Sequence, residues 1–374
     1  MVDSNIPDTA RHIVMVIGSL QPGGAEKVAS SLANAWSLRG DRVSIITLAS
    51  AEVRPFYALE PKISLFPLDV VGKSANVVAA AAANLGRILR LRRIIKRSHP
   101  SVVVSFLTET NVLSLLASLG LSFPVIVSEH TDPVIYPLLS MWKRLRRHTY
   151  VRAAEIVVLN THMQQYFTEH LQRRPVVIPN PISRVPRNET TAAQRIVAMG
   201  RFSREKCFDV LVRAFHRVVA NHPRWSLIII GDGELRTDIT ELVDRLGLTE
   251  RVTLTGIVRE PEYELRQSSI FISTSILEGF PMAICEAMSH GLAVVAVEYG
   301  PGIHDIIDDG VNGIVVRANS VDDVAAALEQ LIDNPDQRVR LGENARTITD
   351  RYGIQRVMGM WESVFQKALE SSGG

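Results

Sequence analysis

Two doubly wound α/β domains in succession are what this sequence predicts, on three observations. Its 374 residues exceed what one hydrophobic core usually organises. Short β-branched runs alternate with longer helix-period segments from end to end. A proline-bearing polar stretch interrupts that alternation near the middle. With 46% hydrophobic and 21% charged residues, the composition is that of a globular chain and argues against long disordered segments.

In the first half, His12 to Gly18, Val43 to Leu48, Val102 to Phe106, Val125 to Ser128 and Ile156 to Leu159 read as strands. They are short and apolar on both faces, as in a parallel sheet covered by helices. Helix-period segments fall between them at Ala25 to Arg39, Val77 to Ser98, Val112 to Leu119 and Thr161 to Leu171. Ile178-Pro-Asn-Pro-Ile182 and the polar stretch Ser183 to Gln194 then read as a linker, which places the domain boundary near residue 184. The second series has strands at Arg195 to Met199, Ser226 to Ile230, Val252 to Leu254, Ile270 to Ser273, Ala293 to Val297 and Ile314 to Val316. One of its helices shows an apolar face at Leu235, Ile239, Leu242 and Leu246. Helices at Val321 to Ile332 and Asp336 to Thr349 close this domain at about residue 351, and Met358 to Leu369 forms a further helix that periodicity alone does not place.

Net charge is +2, but the halves differ. Residues 1–185 carry 21 Lys/Arg against 12 Asp/Glu, a net of +9, whereas the remainder carries 20 against 27, a net of −7. The excess sits in two basic amphipathic segments, one around Arg87, Arg92, Arg93 and Arg97, the other around Lys143, Arg144, Arg146 and Arg147. Such segments read either as solvated helix faces or as attachment to an anionic membrane surface. Nucleic acid is disfavoured, because no recognition motif or aromatic platform accompanies them. The polar start, Met1 to Arg11, lacks the apolar run of a secretory signal, and no stretch has the roughly 20 apolar residues of a bilayer span. Two cysteines, Cys207 and Cys285, fit neither a disulfide framework nor a metal cluster, so a reducing cytoplasm is the expected location.

In such sheets ligands bind outside the carboxyl ends of the strands, so the loops there carry the candidate chemistry, and a cleft between the two domains is the expected site. Gly18-Ser-Leu-Gln-Pro-Gly-Gly-Ala-Glu26 joins the first strand to its helix. Gly23 and Gly24 permit close backbone approach, and the helix offers its first amides to an anion. The spacing is not that of a dinucleotide fingerprint, which argues against hydride chemistry. His130, in Ser128-Glu-His130, follows a first-domain strand and is placed to face the cleft.

In the second domain, Gly200-Arg201-Phe-Ser-Arg-Glu-Lys206 puts a forked cation and a point charge at the end of the first strand, suited to a diphosphate leaving group. Glu278-Gly-Phe-Pro-Met-Ala-Ile-Cys-Glu286 joins a strand to a helix that Pro281 can start. A phosphate at that N-terminus would meet unsatisfied amides, Glu286 could accept from ribose hydroxyls, and Glu278 could face a sugar. Gly231-Asp-Gly233 is a tight turn compatible with lining a cleft. No group of His, Cys or carboxylates has metal-ligand spacing, so a metal-free reaction is the expectation. A paired-carboxylate hydrolase is disfavoured by the neighbouring phosphate-binding geometry.

The Gly-Gly turn, Gly200-Arg201 to Lys206, and the two glutamates separated by seven residues resemble retaining GT-B glycosyltransferases of family GT4. Ser128-Glu-His130, Gly300-Pro-Gly302 and Asp305 to Gly313 resemble the branch that extends lipid-linked oligosaccharides for exopolysaccharides or protein glycosylation. The resemblance covers nearly the whole chain. It implies two Rossmann-like domains facing across a cleft and a C-terminal helix, 352–374, returning to the first domain.

The resemblance also implies a UDP-sugar or GDP-sugar as substrate, with no cofactor, and a polyprenyl-diphosphate-linked saccharide as acceptor. By that resemblance Arg201 and Lys206 hold the diphosphate and Glu286 the ribose. Glu278 with Gly279, Phe280, Pro281, Met282 and Ala283 holds the sugar and phosphates, and His130 lines the reacting centre. Arg92, Arg93, Lys143, Arg146 and Arg147 form a surface toward the acceptor's membrane, implying peripheral association with the inner face of the cytoplasmic membrane. Members commonly carry Lys-Gly where this chain has Lys206-Cys207. Two rivals share the architecture: a sugar-nucleotide epimerase, which needs no acceptor, and a noncatalytic nucleotide-sugar-binding subunit, which yields no product.

Overall fold

The computed structural model describes residues 10–69, 77–133, 138–186 and 194–371, with backbone alone for 77–82. The stretch before residue 10 and the linker segment 187–193 lie outside the described residues. The chain divides into two compact units, Met1–Pro181 together with Ile354–Gly374, and Ile182–Gly353.

The first unit runs β1 (His12–Ile17), α1 (Gly24–Arg39), β2 (Arg42–Thr47), β3 (Ser64–Pro67), α2 (Val77–Ser98), β4 (Val102–Phe106), α3 (Thr108–Ala117), β5 (Val125–Glu129), α4 (Ser140–Thr149), β6 (Glu155–Val158), α5 (Thr161–Leu171) and β7 (Val176–Val177). Its seven strands are all parallel in the order β3-β2-β1-β4-β5-β6-β7. Every residue of β1, β4, β5 and β6 is buried, as a parallel sheet covered on both faces requires. The sequence reading missed β3 and β7. The first is a four-residue edge strand ending in a proline with Phe66 exposed, and the second has two residues, so neither leaves a periodic signal.

The second unit runs β8 (Arg195–Met199), α6 (Phe208–Asn221), β9 (Ser226–Ile230), α7 (Arg236–Arg245), β10 (Val252–Gly256), α8 (Glu262–Arg266), β11 (Ile270–Ser273), α9 (Met282–His290), β12 (Ala293–Val297), β13 (Ile314–Val316), α10 (Val321–Asp333), α11 (Pro335–Ala345) and α12 (Ile348–Tyr352). Six parallel strands lie in the order β10-β9-β8-β11-β12-β13. One apolar layer packs α6, α7 and α10 on one face through Phe208, Phe215, Leu242 and Leu328. The other packs α9 on the opposite face through Ile284, Ala287 and Met288. The expected single helix from Asp336 to Thr349 is broken into α11 and α12.

After Gly353 the chain re-enters the first unit as α13 (Ile354–Glu370), which packs on α1. Trp361 and Phe365 meet Trp36 at ring-centroid distances of 5.8 and 5.2 Å. Glu362 receives Arg11 and Arg39, the latter at 2.6 Å, and Lys367 reaches the buried Glu155 at 2.7 Å.

Both sheets reverse their strand order once, between β1 and β4 in the first unit and between β8 and β11 in the second. In open parallel sheets ligands bind outside the carboxyl ends at this reversal, so the loops after these strands are where chemistry belongs.

Candidate active site

In the second unit, β8 and β11 are paired through Ile196↔Ile270 and Val197↔Phe271, so the loops that leave their carboxyl ends run side by side. The Thr274 hydroxyl donates to the Lys206 carbonyl at 2.7 Å, and the Ile276 amide donates to the Glu205 carbonyl at 2.9 Å. This brings together the two motifs that lie 72 residues apart: Lys206 Nζ is 2.6 Å from Glu278 Oε1, with both side chains mostly buried. Arg201, at the same strand end, is exposed.

The short 3-10 turn Arg204–Lys206 aims the lysine, and it closes on Cys207 with φ +47°, a left-handed conformation that favours glycine. Burial opposes ionisation of Glu205, but the Ser203 hydroxyl at 2.6 Å and the neighbouring Lys206 and Arg201 hold its carboxyl below the ordinary range.

Gly231-Asp-Gly233 has a packing role. A Cβ on Gly231, at φ +138°, would lie 1.9 Å from the Gly200 carbonyl oxygen, and one on Gly233 would lie 2.5 Å from that of Phe202. The Gly200 amide donates to Ile230 and the Phe202 amide to Asp232, at 2.9 and 3.0 Å. The turn therefore clamps the backbone on either side of Arg201.

Pro281 precedes α9 at its N-cap, and the Met282 amide donates to the Phe280 carbonyl at 2.9 Å. The Phe280 ring packs edge-on against Tyr352 at 5.6 Å, fixing the loop from Glu278 to Ala283. Glu286 is half-buried on α9, and its carbonyl accepts from the Ser289 hydroxyl at 2.8 Å and from the His290 ring at 2.9 Å.

In the first unit His130 follows β5. Its Nε2 is 3.0 Å from the Ser128 hydroxyl, its ring packs on Phe106, and its buried Nδ1 has no hydrogen-bond partner among the described residues. Burial pushes its pKa down to about 4, so the ring is neutral at physiological pH. On the other face of the strand lies a cluster that sequence reasoning missed. The fully buried Glu129 accepts from Thr108 at 2.8 and 2.9 Å and from the Tyr150 hydroxyl. Asn111 joins Tyr150 at 2.9 Å, the Ser128 carbonyl at 3.1 Å and the Ser105 hydroxyl at 2.7 Å. Burial pushes the Glu129 carboxyl up, against the pull of Arg146 and the two hydroxyls. Thr108, Thr110, Asn111 and Ser114, all buried in α3, were the available signal.

Two expectations are corrected. Arg146 is buried, with its guanidinium 4.8 Å from the Phe167 ring and 5.9 Å from that of Tyr166, so it faces the core of the unit. Arg92 is half-buried and donates to the carbonyls of Ala117 and Leu119 at the end of α3, at 2.8 and 2.6 Å. Arg93, Lys143 and Arg147 are exposed. At the Gly23-Gly24 turn the start of α1 is faced by the chain's own carboxylate: a Cβ on Gly23 would lie 2.1 Å from Glu26 Oε2. Glu26 is the third residue of α1. The Tyr57 hydroxyl lies 3.3 Å from the Gly23 amide on the same turn.

Among the described residues, no group of three or more His, Cys, Asp or Glu could hold a metal ion, and no helix is long and apolar enough to cross a membrane.

Residues 22–184 match the family model described as Glycosyltransferase Family 4, and residues 181–348 match Glycosyl transferases group 1. A curated relative from Campylobacter jejuni is 26% identical over 93% of this chain and 96% of its own length. It is the GalNAc-alpha-(1->4)-GalNAc-alpha-(1->3)-diNAcBac-PP-undecaprenol alpha-1,4-N-acetyl-D-galactosaminyltransferase. The amylovoran biosynthesis glycosyltransferase AmsD of Erwinia amylovora is 24% identical over 94% of this chain and 98% of its own length. Among solved structures, a variant of TarM from S. aureus in complex with Fondaparinux, alpha-GlcNAc-glycerol and UDP superposes with a TM-score of 0.77 at 13% identity. That match covers 95% of this chain and 99% of the other.

Proposed function

Because the chain belongs to the glycosyltransferases of GT-B fold, family 4 through its first half and group 1 through its second, we propose that it is a retaining hexosyl- or N-acetylhexosaminyltransferase. Its substrate is a nucleoside-diphosphate sugar, UDP-linked in preference to GDP-mannose, and its acceptor is a polyprenyl-diphosphate-linked saccharide. The observation that carries this reading is the meeting of Lys206 and Glu278, beside Arg201, at the strand-order reversal of the second unit. Two cations at a strand end and a carboxylate one hydrogen bond away fit a diphosphate joined to a polyhydroxylated ring. The acceptor class and the preference for UDP are supported by the activity named for the Campylobacter relative and by the UDP bound to TarM.

In this reading Arg201, Lys206 and the amides at the start of α9 take up the charge that develops on the leaving diphosphate, without a metal ion. The Glu286 carboxylate holds the ribose, Glu278 holds the sugar, and neutral His130 contacts the sugar or the acceptor. The acceptor hydroxyl attacks C1 on the face the diphosphate leaves, and the departing phosphate oxygen takes the hydroxyl proton. The C1 configuration is thereby kept, with no covalent enzyme intermediate.

The test incubates UDP-, GDP- and ADP-sugars with and without a lipid-diphosphate saccharide, in EDTA, using wild type and Glu278→Ala. Acceptor-dependent product with the sugar configuration of the substrate, lost in Glu278→Ala, is the expected result. Sugar conversion without acceptor, or binding without turnover, would sink the proposal.

A further inference from the structure

We propose that the Lys206–Glu278 ion pair makes the second unit discriminate between an intact nucleoside-diphosphate sugar and the nucleoside diphosphate left after transfer. This rests on the assignment of the sugar-nucleotide site to these loops. The two groups are 2.6 Å apart, and their side chains are only 19% and 16% exposed, so their charges are poorly screened by solvent. They are also held together from behind. The Thr274 hydroxyl on the Lys206 carbonyl and the Ile276 amide on the Glu205 carbonyl lock the two loops to each other. Gly200 leaves the lysine stem its path, since a Cβ there would lie 3.3 Å from Lys206 Cδ. Neither charge can leave the other by a small movement of its loop.

A diphosphate that recruits the Lys206 ammonium takes it from Glu278 and stands within reach of a carboxylate of its own sign. What happens next depends on what is attached. An intact sugar brings hydroxyl donors, and a carboxylate that accepts from them is compensated by charge-assisted hydrogen bonds. A nucleoside diphosphate brings no such donor and carries an additional negative charge where the sugar was. The same Glu278 that helps hold the substrate therefore repels the product, and the difference lies in one side chain.

Calorimetric titration of UDP, UDP-glucose and UDP-N-acetylglucosamine, with GDP and GDP-mannose in parallel, tests this on wild type, Glu278→Gln and Glu278→Asp. Glutamine keeps the size and an acceptor oxygen but removes the charge, whereas aspartate keeps the charge. Glu278→Gln should bind the free diphosphate about tenfold more tightly, the effect of one poorly screened like charge removed, while the intact sugar nucleotide moves far less. Glu278→Asp should show no tightening for the diphosphate. An unchanged ratio of the two affinities in Glu278→Gln, with wild type binding normally, overturns the inference and leaves the sugar-nucleotide assignment standing. Wild type binding none of the five compounds overturns both.

Discussion

Sealing His130 Nδ1 from solvent favours the neutral ring, and that sets the sign of this group's contribution to stability in acid. Its folded pKa, about 4, lies below the unfolded value near 6.5, so between those limits the unfolded chain binds more protons. Stability from this group is intact above pH 6.5 and falls progressively as pH drops towards 4. Melting temperatures measured from pH 7 to pH 4.5 should show this slope, and His130→Gln should flatten it. An unchanged slope would mean that the ring is protonated in the folded protein.

Residues of this kind were legible where a motif fixes position. Arg201, Lys206, Glu278 and Glu286 follow strands whose ends the β-branched runs marked. Glu129 was not legible, because a strand-terminal glutamate reads as solvated until Thr108 and Tyr150, 21 positions away on either side, are seen to reach it. Arg146 failed for the same reason. Nothing in its own helix announces that Tyr166 and Phe167 of α5 form its surroundings.

At the scale of elements, α4 shows what charge counting alone cannot resolve. One side of the helix turns Trp142, Arg146 and Thr149 inward. The other leaves Met141, Lys143, Arg144, Arg147 and His148 exposed, with Leu139 before the helix and Val151 after it exposed as well. Basic and apolar groups on one face are the pattern of an interfacial helix, and each cation near anionic headgroups contributes about 1 kcal/mol. Lys143→Glu, Arg144→Glu and Arg147→Glu together should reduce sedimentation with phosphatidylglycerol vesicles by an order of magnitude or more at low salt. The single change Arg146→Glu should instead lower the melting temperature, because it places a carboxylate among Phe167, Tyr166 and Glu129. Equal vesicle binding by the triple variant and wild type would remove the membrane reading.

The elements themselves were legible wherever burial on both faces made an uninterrupted apolar run, as in Ala293 to Val297. They escaped notice where pairing without burial makes the strand, as in Ser64–Pro67. They also blurred where a turn sits inside one continuous helical pattern, as between Ala345 and Ile348.

For the whole molecule, the return of the chain after Gly353 couples its last helix to the first unit's stability. Periodicity revealed a helix there but not its partner, because Trp36, Arg11 and Arg39 that receive it lie more than 300 residues earlier. Trp361 is 2% exposed and meets both Trp36 and Phe365, so Trp361→Ala removes a large buried ring and leaves a cavity, at a cost of about 3–5 kcal/mol. That loss falls on a unit whose sheet and α13 are built from residues 1–181 and 354–374. The sheet carrying Lys206 and Glu278 is built from residues between 182 and 353.

Calorimetry of Trp361→Ala should therefore show an early transition moved down by several degrees. A later one should remain in place and still rise on adding the sugar nucleotide, since a ligand stabilises the folded form it binds. A single transition that drops as a whole would show that the two units unfold together, and the stability of the loops carrying Lys206 and Glu278 would then depend on a tryptophan outside their own unit.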